Sequence, residues 1–257
     1  DVLFGGPDPK FPGRKRKVSK TGAILPDNST PPNPLDHSKD PLVNKLRTMR
    51  DTVSSCPGIW KELALDCPDN RAVLDEHLCD TKIDYTFSQM EDKVRRSAAA
   101  FKDLGVAKGV NVAVLGENSA MWLVVDHGIQ LAGGASAVRG ADAPLDELRY
   151  IYEHSNSAGI AALQDVNLLQ KLSKDAKAKG LTNLGLSNDS FGPVKTVVLM
   201  HKGKKTADEI KALGEENGVQ VRVLEELLES TPPANYKELP TLDRSDFSTI
   251  VYTSGTT

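Results

Sequence analysis

An α/β fold with a mainly parallel sheet and helices on both faces is what this sequence predicts, on three observations. Short, β-branched, nearly continuous apolar runs such as Val110 to Leu115 (VNVAVL) recur along it, as strands buried on both faces require. Between them lie segments with apolar residues at helical spacing, so strand and helix alternate. Residues that start and stop helices punctuate the alternation: Thr86 and Asp165 stand where helices open, Gly105 and Gly218 where they end.

The first segment differs in kind. Phe11 to Lys20 (FPGRKRKVSK) lies in a Pro- and Gly-rich stretch running to about Pro41 with few aliphatic residues. Such a stretch cannot offset its ordering entropy by burial. Residues 1–41 are therefore expected to be a flexible basic leader, and residues 42–257 the folded part. A nucleic-acid arm lacks the interleaved aromatics it would need, whereas a trimmed organelle-targeting leader would have this composition.

In the folded part, Ile59, Trp60 and Leu63 place a short helix over Pro57 to Leu65, and DYTF (84–87) reads as an extended entry into the next helix. There Thr86 and Gln89 make a capping box and Tyr85 and Met90 a hydrophobic staple. Met90, Val94, Ala98, Phe101 and Leu104 follow on one core-facing stripe. After the strand at 110–115, Asn118 or Ser119 caps a helix through Trp122, Val125 and Ile129 to Leu131. The alternation continues with a strand at 135–138, a helix entered through Asp142 and Pro144 and ending near His154, and a strand at 159–163. A lysine-rich helix after Asp165, a strand at 194–200, a helix from Thr206 to Asn217 and a strand at 219–223 complete it. Beyond Pro232 and Pro233 a polar linker leads to Ser248–Tyr252, read as a last buried strand.

Composition narrows the function. With 39% apolar and 26% charged residues the chain reads as soluble and globular, and a net charge of −3 sets up no field for nucleic acid. Cys56, Cys67 and Cys79 are too far apart for a metal-ligand pair, and the five histidines are equally scattered, so no metal ligand is expected among them. Asp126 and His127 are helix neighbours that point apart, which argues against a catalytic dyad. Gly203, Lys204, Lys205 and Thr206 resemble the end of a Walker loop, but the upstream glycine is replaced by Val198. Neither a dinucleotide G-x-G-x-x-G around Gly133 and Gly134 nor a nucleophile elbow is found, and the two glycines read as close helix-on-strand packing.

The chemistry concentrates at the end. Thr253, Ser254, Gly255, Thr256 and Thr257 follow the last strand directly. A loop leaving the carboxyl end of a parallel strand can aim successive N–H groups at one point, glycine permits close approach, and four hydroxyls add donors. That suits a polyphosphate better than a sugar or an apolar group. Against it stands the tolerance of Ser, Thr and Gly for any turn.

YTSGTT (252–257) resembles the opening of the phosphate-loop signature of the acyl-adenylate-forming, or AMP-binding, superfamily. The stretch from Thr86 through FKDLGVAKG and VNVAVLGENSAMWLVVDHGIQLAGGASAVRG is similar to the early part of that superfamily's large N-terminal domain. Most members have proline and asparagine where Val138, Arg139 and Gly140 stand here. That departure, with ADAPLDELRYIYEHSNSA, is similar to the long-chain acyl-CoA synthetase branch, most of all to plastid and cyanobacterial acyl-acyl carrier protein synthetases. The resemblance implies an incomplete N-terminal AMP-binding domain over residues 42–257, ending inside the phosphate loop. It implies ATP with Mg²⁺, a fatty acid, coenzyme A or acyl carrier protein as acceptor, a plastid location or else a cytoplasmic or peripheral-membrane one, and peripheral membrane association at most, with no transmembrane segment. It places the catalytic lysine and metal carboxylate beyond Thr257, so these 257 residues alone are expected to be inactive. The alternative is a non-catalytic nucleotide-binding or scaffold module.

Overall fold

The computed structural model describes residues 53–76 and 82–253, the backbone of 3–8 and 11–18, and Asn44, Arg47 and Thr48. The chain divides between Arg50 and Asp51 into two units. In the first, β1 (Leu3–Asp8) and β2 (Phe11–Val18) pair antiparallel, with Leu3 opposite Val18 and Asp8 opposite Phe11. This pairing inside the expected leader was not foreseen. Strand pairing satisfies backbone groups without the aliphatic core that the stretch lacks.

The second unit opens with α1 (Gly58–Asp66) and a hairpin of β3 (Arg71–Asp75) and β4 (Ile83–Thr86). Then come α2 (Phe87–Asp103), β5 (Asn111–Leu115), α3 (Ala120–Leu131), β6 (Ala135–Arg139), α4 (Leu145–His154) and β7 (Ser157–Asp165). After α5 (Val166–Ala178) a small hairpin of β8 (Ser187–Asn188) and β9 (Gly192–Pro193) intervenes. The chain continues through β10 (Thr196–His201), α6 (Ala207–Glu216), β11 (Gln220–Val223), α7 (Leu224–Ser230) and β12 (Thr249–Val251). Six strands form one sheet in the order β11-β10-β7-β5-β6-β12, and every neighbouring pair is parallel.

Alternate residues of each central strand enter two separate cores. Val112 and Val114, Ile160 and Ala162, and Val198 and Met200 face one core, with Trp60, Phe101, Val124, Ile129 and Leu228 from α1, α2, α3 and α7. Ala113 and Leu115, Ala161 and Leu163, and Val197 and Leu199 face the other, with Leu148, Tyr152, Leu169 and Ile210 from α4, α5 and α6. Burial on both faces is why these strands carry no polar alternation. Helices do cover both faces, as the sequence predicts.

The helix starts obey local chemistry. Thr86 Oγ1 accepts from the Gln89 N–H at 3.3 Å and Gln89 Oε1 accepts from the Thr86 N–H at 2.9 Å, so the capping box is formed. Met90, Val94, Ala98 and Phe101 are buried behind it, and Gly105 ends the helix at φ 98°. Of the two candidates for the next cap it is Ser119 whose Oγ accepts from Trp122 N–H, at 3.0 Å. The first N–H of α3, on Ala120, goes to the buried carboxylate of Asp75 at 2.8 Å, which ties the β3–β4 hairpin to the start of α3. Asp165 caps α5 through the Leu168 N–H at 2.8 Å, and Thr206 with Glu209 forms a second capping box at α6.

Two helix contacts show how tightly the first core closes. A methyl group on Gly128 of α3 would lie 2.1 Å from Ser97 Oγ and 2.5 Å from Ser97 Cβ on α2. The two helices therefore touch through glycine. Trp60 of α1 donates its Nε1–H to His127 Nδ1 on α3 at 2.6 Å, and burial pushes the His127 imidazole below its ordinary pKa, opposed by Asp126. Gly134, just before β6, lies where a Cβ would stand 2.5 Å from Val106 and 3.0 Å from the Val110 carbonyl. Gly133 beside it sits at φ 97° and ends α3. The glycine pair is closely packed, but against the 106–110 connection, Pro240 and Ile129 of α3 and not against a strand, which corrects the helix-on-strand reading.

Gly128→Ala is expected to lower unfolding free energy in urea. The overlap costs about 1–3 kcal/mol, set against a propensity gain of about 1 kcal/mol in mid-helix. The double change Gly128→Ala with Ser97→Gly moves the glycine from α3 to α2, so the propensity effects largely offset, and it frees the space, so it should exceed the single variant. Equal midpoints for the two would refute the packing argument. Because His127 has a lowered pKa when folded, its contribution is fully present above the unfolded value of 6.5 and drains away as pH falls below it. The thermal midpoint should therefore fall between pH 7 and pH 5 more steeply in the wild type than in His127→Gln; parallel profiles would disprove this.

Candidate functional site

The site is built on β12 and on what surrounds its end. Thr249, Ile250 and Val251 lie opposite Ser136, Ala137 and Val138 of β6, all strands running the same way. At the start of β12 the Ser136 N–H donates to the Ser248 carbonyl at 3.1 Å. Just before it, Lys108 Nζ meets Asp246 Oδ2 at 2.7 Å, and the same oxygen accepts from the Asp243 N–H at 2.8 Å. The hydrogen bond from the Asp243 N–H, and then that from Lys108, hold the Asp246 carboxyl below the ordinary carboxylate range. The linker ahead is pinned as well, since Tyr236 donates to Glu91 Oε1 at 2.9 Å while Lys61 and Arg95 lie over its ring.

The structure corrects one expectation about this strand. It is not buried: Val251 is 63% exposed, and β12 lies at the edge of the sheet with β6 as its only partner among the described residues. Ile250 and Tyr252 pack on the second core, while the opposite face of the strand is open. An apolar run of this kind cannot report whether a covering layer follows in space.

Thr253 leaves the carboxyl end of β12 exposed. That is where ligands of open parallel sheets bind. Ser254, Gly255, Thr256 and Thr257 lie outside the described residues. Beside the exit stands the end of β6. Arg139 Nε donates to Glu147 Oε1 of α4 at 2.7 Å, and this bond raises the guanidinium pKa. A Cβ on Gly140 would lie 2.6 Å from Glu117 Oε1 and 2.9 Å from Asp142 Oδ1. The Val138-Arg139-Gly140 departure noted in the sequence thus has a local reason: the arginine is bonded to α4, and the glycine lets two carboxylates approach. Arg139, Glu147 and Glu117 were not singled out from sequence, because no periodicity links positions on a strand, a loop and a helix.

Three carboxylates around one guanidinium leave this edge acidic. It does not by itself draw a polyphosphate. Among the described residues no group of three or more His, Cys, Asp or Glu side chains could hold a metal ion.

Other carboxyl-edge positions are less open. The strand order reverses at β5, with β6 on one side and β7 on the other, which makes the β5–β7 crevice a natural ligand position. Here it is filled. Glu117 N–H donates to Gln164 Oε1 at 3.0 Å, and a Cβ on Gly116 would lie 2.6 Å from Met200 Cε. A cavity of about 310 Å³ at the ends of β10 and β11 is lined by Lys82, Asp84, Met121, Met200, Lys202 and Glu225. Its lysines and carboxylates offset one another. Asp126 and His127 do not form a dyad: His127 Nε2 is 3.9 Å from Asp126 Oδ2, which accepts instead from Gln130 at 2.9 Å. Lys205 pairs with Glu209 at the α6 cap, at 2.7 Å, in the turn that superficially matched a Walker loop.

Comparison with known proteins agrees with this geometry. The family model for AMP-binding enzymes matches residues 60–257. The chain is 27% identical over 225 residues to probable acyl-activating enzyme 16, chloroplastic, of Arabidopsis thaliana, covering 84% of this chain and 30% of that protein. It is 28% identical over 203 residues to the chloroplastic long-chain-fatty-acid–[acyl-carrier-protein] ligase AEE15 of the same plant, covering 78% of this chain and 26% of that protein. The chain thus spans less than a third of the length of these curated relatives. Among solved structures, the adenylation domain of the carboxylic acid reductase from Segniliparus rugosus, in complex with AMP and a co-purified carboxylic acid, superposes with a TM-score of 0.58 at 16% identity. It covers 82% of this chain and 36% of that one. The N-terminal domain of FACL13 from Mycobacterium tuberculosis gives a TM-score of 0.54 at 18% identity, over 79% of this chain and 42% of that one. These two likenesses show the fold. The family match runs from the first buried tryptophan through both helical layers to the loop after β12, and the chain belongs to the AMP-binding enzyme family.

Proposed function

We propose that the protein carrying this chain activates a long-chain fatty acid with ATP as an acyl-adenylate and passes the acyl group to a thiol of acyl carrier protein or coenzyme A. The observation that carries the reading is the exit of β12: an exposed threonine at the carboxyl edge of a parallel sheet, followed in the sequence by three further hydroxyl residues and a glycine. The family match and the named ligase relative support the reaction class.

A carboxylate is a poor electrophile until adenylation gives it a leaving group. In this reading the fatty acid carboxylate attacks the α-phosphorus of ATP, pyrophosphate departs, and the thiol then displaces AMP from the acyl carbon. Thr253, Ser254, Gly255, Thr256 and Thr257 hold the β- and γ-phosphates through N–H and hydroxyl donors, while the fixed frame of β6 and α4 keeps the loop's origin in place. Mg²⁺, when bound, would supply positive charge against the phosphates, and its protein ligand is assigned beyond Thr257. Residues 42–257 then form an incomplete AMP-binding domain behind a basic leader at 1–41. A plastid location follows the two chloroplastic relatives and the subtype resemblance. Among the described residues no helix is long and apolar enough to cross a membrane, and peripheral association accompanies a long acyl substrate.

Two measurements test the proposal. The purified 257-residue chain should show no fatty-acid-dependent ATP–pyrophosphate exchange, whereas the full-length protein should; activity in the former or silence in the latter refutes it. In the full-length protein Thr256→Val should slow adenylation about 10- to 100-fold, as expected for losing a hydrogen bond to a charged group worth ~1.5–3 kcal/mol. Its unfolding free energy should stay within about 0.5 kcal/mol of the wild type. An unchanged rate removes Thr256 from the phosphate contacts.

A further inference from the structure

The last side chain before the loop is tethered across the sheet to the end of a helix. Tyr252 Oη and His154 Nδ1 lie 2.8 Å apart, and their rings meet edge to face with centroids 5.8 Å apart. One turn earlier on α4, Tyr150 stacks on the imidazole with centroids 5.2 Å apart. The histidine ring thus contacts two tyrosines, one of them 98 positions away in sequence.

This bond matters because little else restrains the carboxyl end of β12. The strand has three residues, a single paired neighbour among the described residues, and an exposed outer face. Its final ladder bond, from the Tyr252 N–H to the Val138 carbonyl, is stretched to 3.4 Å, at the outer limit for such a bond. The amino end, by contrast, is anchored by the Lys108–Asp246 pair and the Ser136–Ser248 bond. A short strand fixed at one end and loose at the other would let its exit swing, and the backbone of Thr253 with it. Tyr252 prevents this through a side chain directed onto the second core, which also receives α4. Burial keeps the phenol protonated by raising its pKa, so whichever partner donates, the bond can persist.

We propose that His154, acting through Tyr252 and supported by Tyr150, is a positioning residue that sets where the phosphate-binding loop leaves the sheet. The inference rests on the proposed ATP-dependent activity. It adds that the affinity for the nucleotide, and not that for the acyl substrate, is governed by a contact at the far end of α4. The tether touches no reacting group; it acts on the direction in which the backbone leaves β12 at Thr253.

The test uses the full-length protein and measures adenylation with ATP and the fatty acid varied separately. Tyr252→Phe and His154→Ala should each raise the KM for ATP about 3- to 10-fold, the range corresponding to one net hydrogen bond. The KM for the fatty acid should be unchanged, and the thermal midpoint should shift by no more than about 2 °C, as for other surface changes. His154→Asn places an amide near the position of Nδ1 and should restore the ATP value. The double variant Tyr252→Phe/His154→Ala should be no worse than either single one. A KM for ATP unchanged in folded Tyr252→Phe, a loss shared equally by both substrates, or failure of His154→Asn to rescue would overturn the positioning role. Absence of ATP-dependent activity in the wild type would instead overturn the underlying reading, and the inference with it.

Discussion

Burying a parallel sheet on both faces is the constraint from which the rest of this structure follows. Parallel strands need crossovers, the crossovers are amphipathic helices, and each helix must bury its stripe against one face or the other. Val112 and Val114 serve one core while Ala113 and Leu115, between them, serve the second. The same arrangement makes all carboxyl ends open on one edge of the sheet. Any loop leaving β12 therefore emerges beside the loops after β6 and β5, and the site is a consequence of strand direction before it is a matter of side chains.

On that edge the chain treats its openings differently. The β5–β7 crevice is closed by the Glu117–Gln164 bond and by Met200 packed against Gly116. The end of β6 is engaged by Arg139 and Glu147. The end of β12 is left exposed, on a strand that has a neighbour on one side and open surface on the other. The strand that leads to the exposed Thr253 is held by Tyr252 on His154 of α4 and by Asp246 on Lys108, and not by the depth of the sheet.

How much of this could be read from residues depended on the range of the interaction concerned. The capping box at Thr86 and Gln89 involves neighbours three apart, and its chemistry is complete within one turn. The apolar stripe from Met90 to Phe101 was legible for the same reason. Helix α7 and strand β3 were missed: LEELLES is short and continues directly from β11, and RAVLD has no strong alternation. Arg149 shows the opposite case. It is buried, bonded to Asp146 and Asp175, and donates to the Leu184 carbonyl beside a left-handed turn at Asn183 and Leu184. Nothing in the order of residues announces that three separated segments meet there.

By itself, then, the sequence determined the α/β class, the parallel character of the sheet, and most helix starts and stops. These follow from local periodicity, capping and turn chemistry, which act over a few residues. Only the tertiary structure decided that β12 is an edge strand, that the β5–β7 crevice is filled, and that Tyr252 is bonded to His154. Strand order and cross-sheet contacts join residues tens of positions apart, and they are chosen by how whole layers pack, a quantity that no short stretch of sequence contains.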